Sequence, residues 1–166
     1  MLAPAIALLA SAWLALLLAS PFGPIPLAAL TYGIGGFICH QIPERSFHLG
    51  GLQIPVCARC LAIYAGFALT AGVHVAATSF SGSTPPRGLT PSSARWVFVA
   101  GALPTAVTLG LEWGGVWSGS NIGRAIAGIT LGAGVALVVM SAVATLHYNS
   151  CERRRPTGPS QLPPRI

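Results

Sequence analysis

The sequence predicts an all-α integral membrane protein, a bundle of about four transmembrane helices. Three observations carry that prediction. Apolar residues make up 53% of the 166 and charged residues only 7%, against roughly 25% charged in a soluble domain. So few charges cannot solvate a surface in water. The apolar residues are also gathered into runs near the ~20 residues that cross a bilayer. Finally, basic residues collect after the last run, at Arg153, Arg154 and Arg155, as they do at the cytoplasmic flank of a stop-transfer helix. The net charge of +6 is therefore a topology signal, and nucleic acid is not expected as a partner. All nine basic residues are Arg, and the acids are Glu44, Glu112 and Glu152.

The first run, residues 3–19, carries no charge. It lacks the basic flank of a signal peptide and reads as a retained helix. Pro21, Pro24 and Pro26 break it. Residues 27–38 form a shorter apolar run, which would rise only ~18 Å as a helix. It is expected to be interfacial or re-entrant, or to extend the first helix past a kink. A polar loop opens at Cys39. The second span is read at 57–77, the third at 96–113 with Pro104 inside, and the fourth at 121–146. Residues 1–150 make one transmembrane domain, and 151–166 an Arg- and Pro-rich tail expected to be disordered. With the tail in the cytoplasm, counting back puts the Arg87/Arg95 loop inside and the loop from residue 39 to 56 outside, in a multi-pass protein of a prokaryotic cytoplasmic membrane.

That outer loop holds the chemistry. Cys39, His40, His48, Cys57 and Cys60 follow the pattern C-H-x7-H-x8-C-x2-C. A C-x2-C pair is a common half of a tetrahedral zinc site. If both cysteines sit at a helix start, they share a face and feel the positive end of the helix dipole, which favours thiolate. Cys39 with His48 or His40 would complete four ligands. The alternatives are a redox dithiol, favoured by an oxidising compartment, and inert packing. Three outer cysteines cannot all pair within one chain, whereas a metal would use all three.

Arg45 and Arg59 flank the cluster. They read either as an anion site or as interfacial arginines, with Arg45 paired to Glu44. At the same outer end lie Glu112, Trp113, Asn121 and Arg124. Ionisable groups at membrane depth are costly and tend to be functional, so Glu112 reads as a base, a metal ligand or the partner of Arg124. His74 lies ~21 Å along the second helix from Cys60, too far to join the cluster. His147 and Cys151 flank the inner end of the fourth span, and Cys151 is a candidate acylation site. Gly128-x3-Gly132 suggests close helix packing, and Trp113 and Trp117 fit an interfacial belt.

Cys39-His40-Gln41-Ile42-Pro43-Glu44-Arg45-Ser46-Phe47, then Cys57-Ala58-Arg59-Cys60 and Tyr64-Ala65-Gly66, resemble domain-of-unknown-function family 2085, small membrane proteins of prokaryotes. The family pattern often has Gly before Ile-Tyr, where this chain has Leu61-Ala62-Ile63. The resemblance implies a membrane protein in which the cysteine cluster matters, and no substrate.

The combined expectation is a zinc site, or that of another transition metal, at the outer face. It is either structural or supports hydrolysis of a lipid-linked substrate, with Glu112 as base and Arg124 or Arg45 as anion clamp. The alternatives are a thiol–disulfide oxidoreductase using Cys57 and Cys60, which resembles vitamin K epoxide reductase in architecture only, and a transporter or metal-handling subunit. Candidate partners are membrane lipid, an anionic or lipid-linked substrate and a second copy of the chain.

Overall fold

In the computed structural model, which describes residues 2–80 and 88–153, five helices enclose one β-hairpin at an end of the bundle. Helix α1 (Leu2–Ala19) closes in a 3-10 turn (Ser20–Phe22) and α2 (Ile25–Ile38) follows. A second 3-10 turn (Pro43–Arg45) leads into strands β1 (Ser46–Leu49) and β2 (Leu52–Cys57), then α3 (Ala58–Phe80), α4 (Pro91–Trp113) and α5 (Asn121–Arg153). Four segments are long and apolar enough to cross a membrane: Leu2–Phe22, Ala58–Phe80, Pro91–Trp113 and Asn121–Ser150. The expected all-α membrane bundle is the observed class.

The short apolar run is a helix of its own. Pro24 and Pro26 bracket its start, where a proline costs no hydrogen bond, and its 14 residues rise only ~21 Å. Helix α4 begins earlier than its hydropathy suggests, because Thr90 caps it by accepting from the Ser93 amide at 3.2 Å, with Pro91 opening the first turn. Helix α5 runs to Arg153, so the first residues of the tail are helical. Arg87 and residues 154–166, including Arg154 and Arg155, lie outside the described residues, as does the Cys151 side chain.

The loop between residues 39 and 56 is not the irregular connection expected. Its second half is an antiparallel hairpin pairing His48 with Gln53 and Leu49 with Leu52, with a bulge between Ser46 and His48. Gly50 and Gly51 make the turn at φ of 57° and 82°, the left-handed backbone that both central residues of a tight hairpin turn require. Ile54 and Val56 of β2 bury against Leu17 and Cys39, beside Trp13 and Tyr64. The rings of Trp13 and Tyr64 meet edge to face at 6.2 Å. The hairpin thus plugs the gap between the end of α1 and the start of α3.

Helix α5 packs on both α3 and α4, and α1 packs on α3. Gly128 and Gly132 set the closest approach. A Cβ at either would collide with the backbone carbonyl of Arg59 or of Ile63 on α3, so the two backbones touch directly. On the other side, Thr105 Oγ1 donates to the Ala127 carbonyl at 2.6 Å and Thr130 Oγ1 to the Gly101 carbonyl at 3.1 Å. Each hydroxyl is satisfied across the helix pair, where leaving it unpaired in an apolar setting would cost energy.

This packing makes a paired prediction. Gly132→Ala forces α3 and α5 apart and is expected to cost about 1–3 kcal/mol, read as a lower thermal midpoint in detergent. Gly72→Ala has open space at its Cβ and is expected to leave the midpoint unchanged or raise it slightly.

Candidate metal centre

Cys39, Cys57 and Cys60 converge where α2, β2 and α3 meet. Their sulfurs all lie within 4.8 Å of one another, and none is in a disulfide. Cys39 follows α2 directly, Cys57 ends β2, and Cys60 lies in the first turn of α3. The C-x2-C pair therefore straddles a strand end and a helix start, and does not occupy one helix face as the spacing suggested. The strand delivers Cys57 from the hairpin side and the helix delivers Cys60 from below.

The Cys57 amide donates to Cys39 Sγ at 3.1 Å. The Cys57 thiol is lowered from the usual thiol range to about 5. The main cause is the hydrogen bond from the Cys60 side chain. Burial opposes the shift, and further hydrogen bonds from the Cys60 backbone, Cys39 and the Arg59 backbone add to it. The helix start contributes through these local donors. Three clustered thiols with one already poised as thiolate suit a soft or borderline metal ion. Sulfurs ~2.3 Å from a tetrahedral zinc would sit within the observed spread.

Gln41 builds the loop that carries Cys39. It takes a left-handed φ of 51°, uncommon for a residue with a Cβ. Its Nε2 donates to the carbonyls of Tyr32 and Pro55, both at 2.7 Å. Its own carbonyl accepts from Gln53 Nε2 at 2.7 Å. Ser46 Oγ donates to the Ile42 carbonyl at 2.9 Å, and Asn121 Nδ2 on α5 donates to the Ser46 carbonyl at 3.1 Å. These bonds tie the loop to α2, to the hairpin and to α5. Sequence reasoning missed the role of Gln41, although it stands inside the C-H-Q string.

Beside the thiols lies a second cluster. The Glu112 side chain, 2% exposed, is the counter-ion for three arginines. Arg124 Nε donates to its Oε1 at 2.9 Å, and Arg59 Nη2 donates to the same oxygen at 3.2 Å. Arg45 Nη1 stands 3.8 Å from Oε2. Arg124 is held further by Asn121 Oδ1 at 3.0 Å and the Ser118 carbonyl at 2.7 Å. Of the readings open for Glu112, the structure places it with Arg124, and adds Arg59 and Arg45. It is not among the clustered metal-ligand atoms. Arg45 pairs toward Glu112 and not toward its neighbour Glu44.

A cavity of about 460 Å³ joins the two clusters, with Cys39, Cys57, Cys60, Arg45, Arg59 and Arg124 on its wall. His40 is exposed and also lines it, but neither His40 nor His48 joins the three sulfurs. His48 is an exposed residue of β1 paired with Gln53. At the far ends of α3 and α5, His74 and His147 line a separate cavity of about 340 Å³ with Met140 and Thr78.

Residues 39–138 match the family described as predicted membrane protein, DUF2085. This chain belongs to that family. The matched region contains the cysteine cluster and the Glu112–arginine cluster. An uncharacterised protein of Methanocaldococcus jannaschii is 51% identical over 35 residues, 21% of this chain and 22% of the relative. Another, from Methanothermobacter thermautotrophicus, is 53% identical over 30 residues, 18% of this chain and 27% of the relative. The matched segments thus span about a quarter of the length of these relatives. No solved structure matches the chain.

Two outcomes follow from this geometry. In chelator-treated, reduced protein, alkylation of Cys57 is expected to persist down to about pH 5, whereas an ordinary thiol slows below its pKa of ~8.5. The sign follows from the lowered value: Cys57 is thiolate above about 5 and loses reactivity only as pH falls through it. Separately, Glu112→Gln leaves buried guanidiniums without their carboxylate and is expected to cost about 3–5 kcal/mol, measured by thermal or denaturant unfolding in detergent. Arg45→Gln, at a half-exposed side chain, is expected to cost less than about 1 kcal/mol.

Proposed function

We propose that DUF2085 chains of this type carry a zinc-type metal centre at the extracytoplasmic end of the bundle, with Cys39, Cys57 and Cys60 as ligands and the fourth position turned toward the cavity. The convergence of three sulfurs from three elements carries this reading. The Cys57 amide on Cys39 Sγ is the kind of outer contact that orients a metal ligand. The orientation rests on the Arg-rich C-terminal flank and the count of spans back from it.

Three thiolates leave one place in a tetrahedral set. His40 on the cavity wall is the side chain suited to fill it in a closed, structural site. Left to a water or substrate atom, the same place supports hydrolysis of a lipid-linked substrate, the metal supplying Lewis-acid polarisation when bound. Glu112 holds Arg59 and Arg124 in place through Oε1. Its Oε2 is buried without a hydrogen-bond partner, which leaves that oxygen for the base of the hydrolytic reading.

A second reading has one observation in its favour. Cys57 lowered to about 5 by the hydrogen bond from the Cys60 side chain places a nucleophilic sulfur beside a second thiol, as in a redox-active dithiol.

Elemental analysis of detergent-purified protein, with thiols counted before and after chelation, separates the two. The metal reading expects about one zinc per chain, three thiols released on chelation, and loss of zinc in Cys60→Ser. A metal-free protein with a reversible Cys57–Cys60 disulfide would refute the metal reading and establish the dithiol.

A further inference from the structure

We infer that the cavity binds a phosphate-type oxyanion, gripped by Arg45 and Arg59. Every side-chain nitrogen of Arg124 has a partner, Nε on Glu112, Nη1 on Asn121 and Nη2 on Ser118. Arg59 differs. Its Nη2 serves Thr108 and Glu112, but its Nε is buried with no partner. Among the described residues the Arg45 side chain makes no hydrogen bond and holds only the loose 3.8 Å ion pair to Glu112. Both side chains line the same cavity. A buried guanidinium N–H without an acceptor is costly, and a ligand oxygen in the cavity removes that cost.

Charge points the same way. Three guanidiniums face one carboxylate, which leaves two positive charges in a part-buried setting. Three thiolates around a dication carry one negative charge, so one positive charge is still uncompensated. Among the described residues the other acids are Glu44, exposed on its turn, and Glu152 at the far end of α5, so neither supplies the missing charge.

Shape and depth select the anion. Arg45 comes from the turn before the hairpin and Arg59 from the first turn of α3. Two planar forks reaching in from different elements match a tetrahedral oxyanion with oxygens in several directions. Glu112 and Arg124 lie within a turn of the ends of the spans Pro91–Trp113 and Asn121–Ser150, the depth at which phospholipid headgroups sit. Free phosphate and a lipid phosphodiester share this chemistry. The inference rests on the metal reading in one respect: the charge count above takes the three sulfurs together with a dication.

The test is calorimetric titration of inorganic phosphate into protein in non-ionic detergent, its zinc content measured on the same sample. Native mass spectrometry of protein from nanodiscs of phosphatidylglycerol and phosphatidylcholine runs in parallel. Uptake of one phosphate per chain, weakened about tenfold or more in Arg45→Gln and in Arg59→Gln and unchanged in Arg95→Gln, supports the inference. Retained phosphatidylglycerol released by phosphate assigns the anion to a headgroup. Phosphate uptake with no retained lipid assigns it to a free anion. If Arg59→Gln does not fold, Arg45→Gln, with its half-exposed side chain, still decides. Zinc-loaded protein that takes up neither probe, or uptake that Arg45→Gln leaves untouched, overturns the inference while leaving the metal reading standing. Arginine-dependent uptake by protein without zinc would support the anion site and remove the metal.

Discussion

The architecture at the hairpin end depends on one buried carboxylate. Glu112, on the last turn of α4, accepts from Arg59 on α3 and Arg124 on α5, and draws in Arg45 from the turn before the hairpin. In an apolar bundle few other interactions are directional. Dispersion and small-residue packing let helices approach but leave their rotation loosely determined, whereas a buried ion pair fixes it. Removing the carboxylate would leave the three guanidiniums without compensation at a depth where that is expensive. Arg59 is next to Cys60 in the chain, so fixing its azimuth on α3 also fixes where that sulfur points.

The glycines make this geometry reachable. Gly128 and Gly132 bring the α5 backbone onto α3 at Arg59 and Ile63, one turn below the ion cluster, which brings Arg59 and Arg124 within reach of the same oxygen. From Arg124 the polar chain continues through Asn121 to the Ser46 carbonyl, from Ser46 to Ile42, and through Gln53 to Gln41. The loop bearing Cys39 is thus set by α5 as well as by its own sequence. A soft loop would not hold three sulfurs together, and this one is bonded on three sides.

Much of this was legible in the sequence and some was not, for identifiable reasons. The four spans stand out because lipid demands long apolar runs, and α2 stood out as too short to cross. The three cysteines were found because metal and redox chemistry both need close thiols, and Gly128-x3-Gly132 already marked the close face of α5. The hairpin was missed although Gly50-Gly51 is a turn signal, because Pro55 and the bulge near Phe47 interrupt the alternation that marks strands. Assigning both C-x2-C cysteines to a helix followed from that miss. A histidine as fourth ligand was inferred from proximity in sequence, but His48 is paired outward on β1 and His40 reaches only the cavity wall. The pairing of Arg59 with Glu112 spans 53 positions, and no local pattern encodes it. Only the three-dimensional packing of α3, α4 and α5 brings it about.

The two clusters are best understood together. Thiolates need a positive potential, guanidiniums need a negative one, and each set alone would be unfavourable so near the membrane. Facing one cavity, they offset each other in a medium where charges are poorly screened and act strongly. In the proposed metal-bound state the balance is slightly positive, the sign that draws an anion inward. Without the dication, Cys57 is the thiol poised as thiolate, and that charge together with the Glu112 carboxylate still falls short of the three guanidiniums. The proposed metal would thus tie the hairpin to α3, while the arginines keep the cavity positive with or without it.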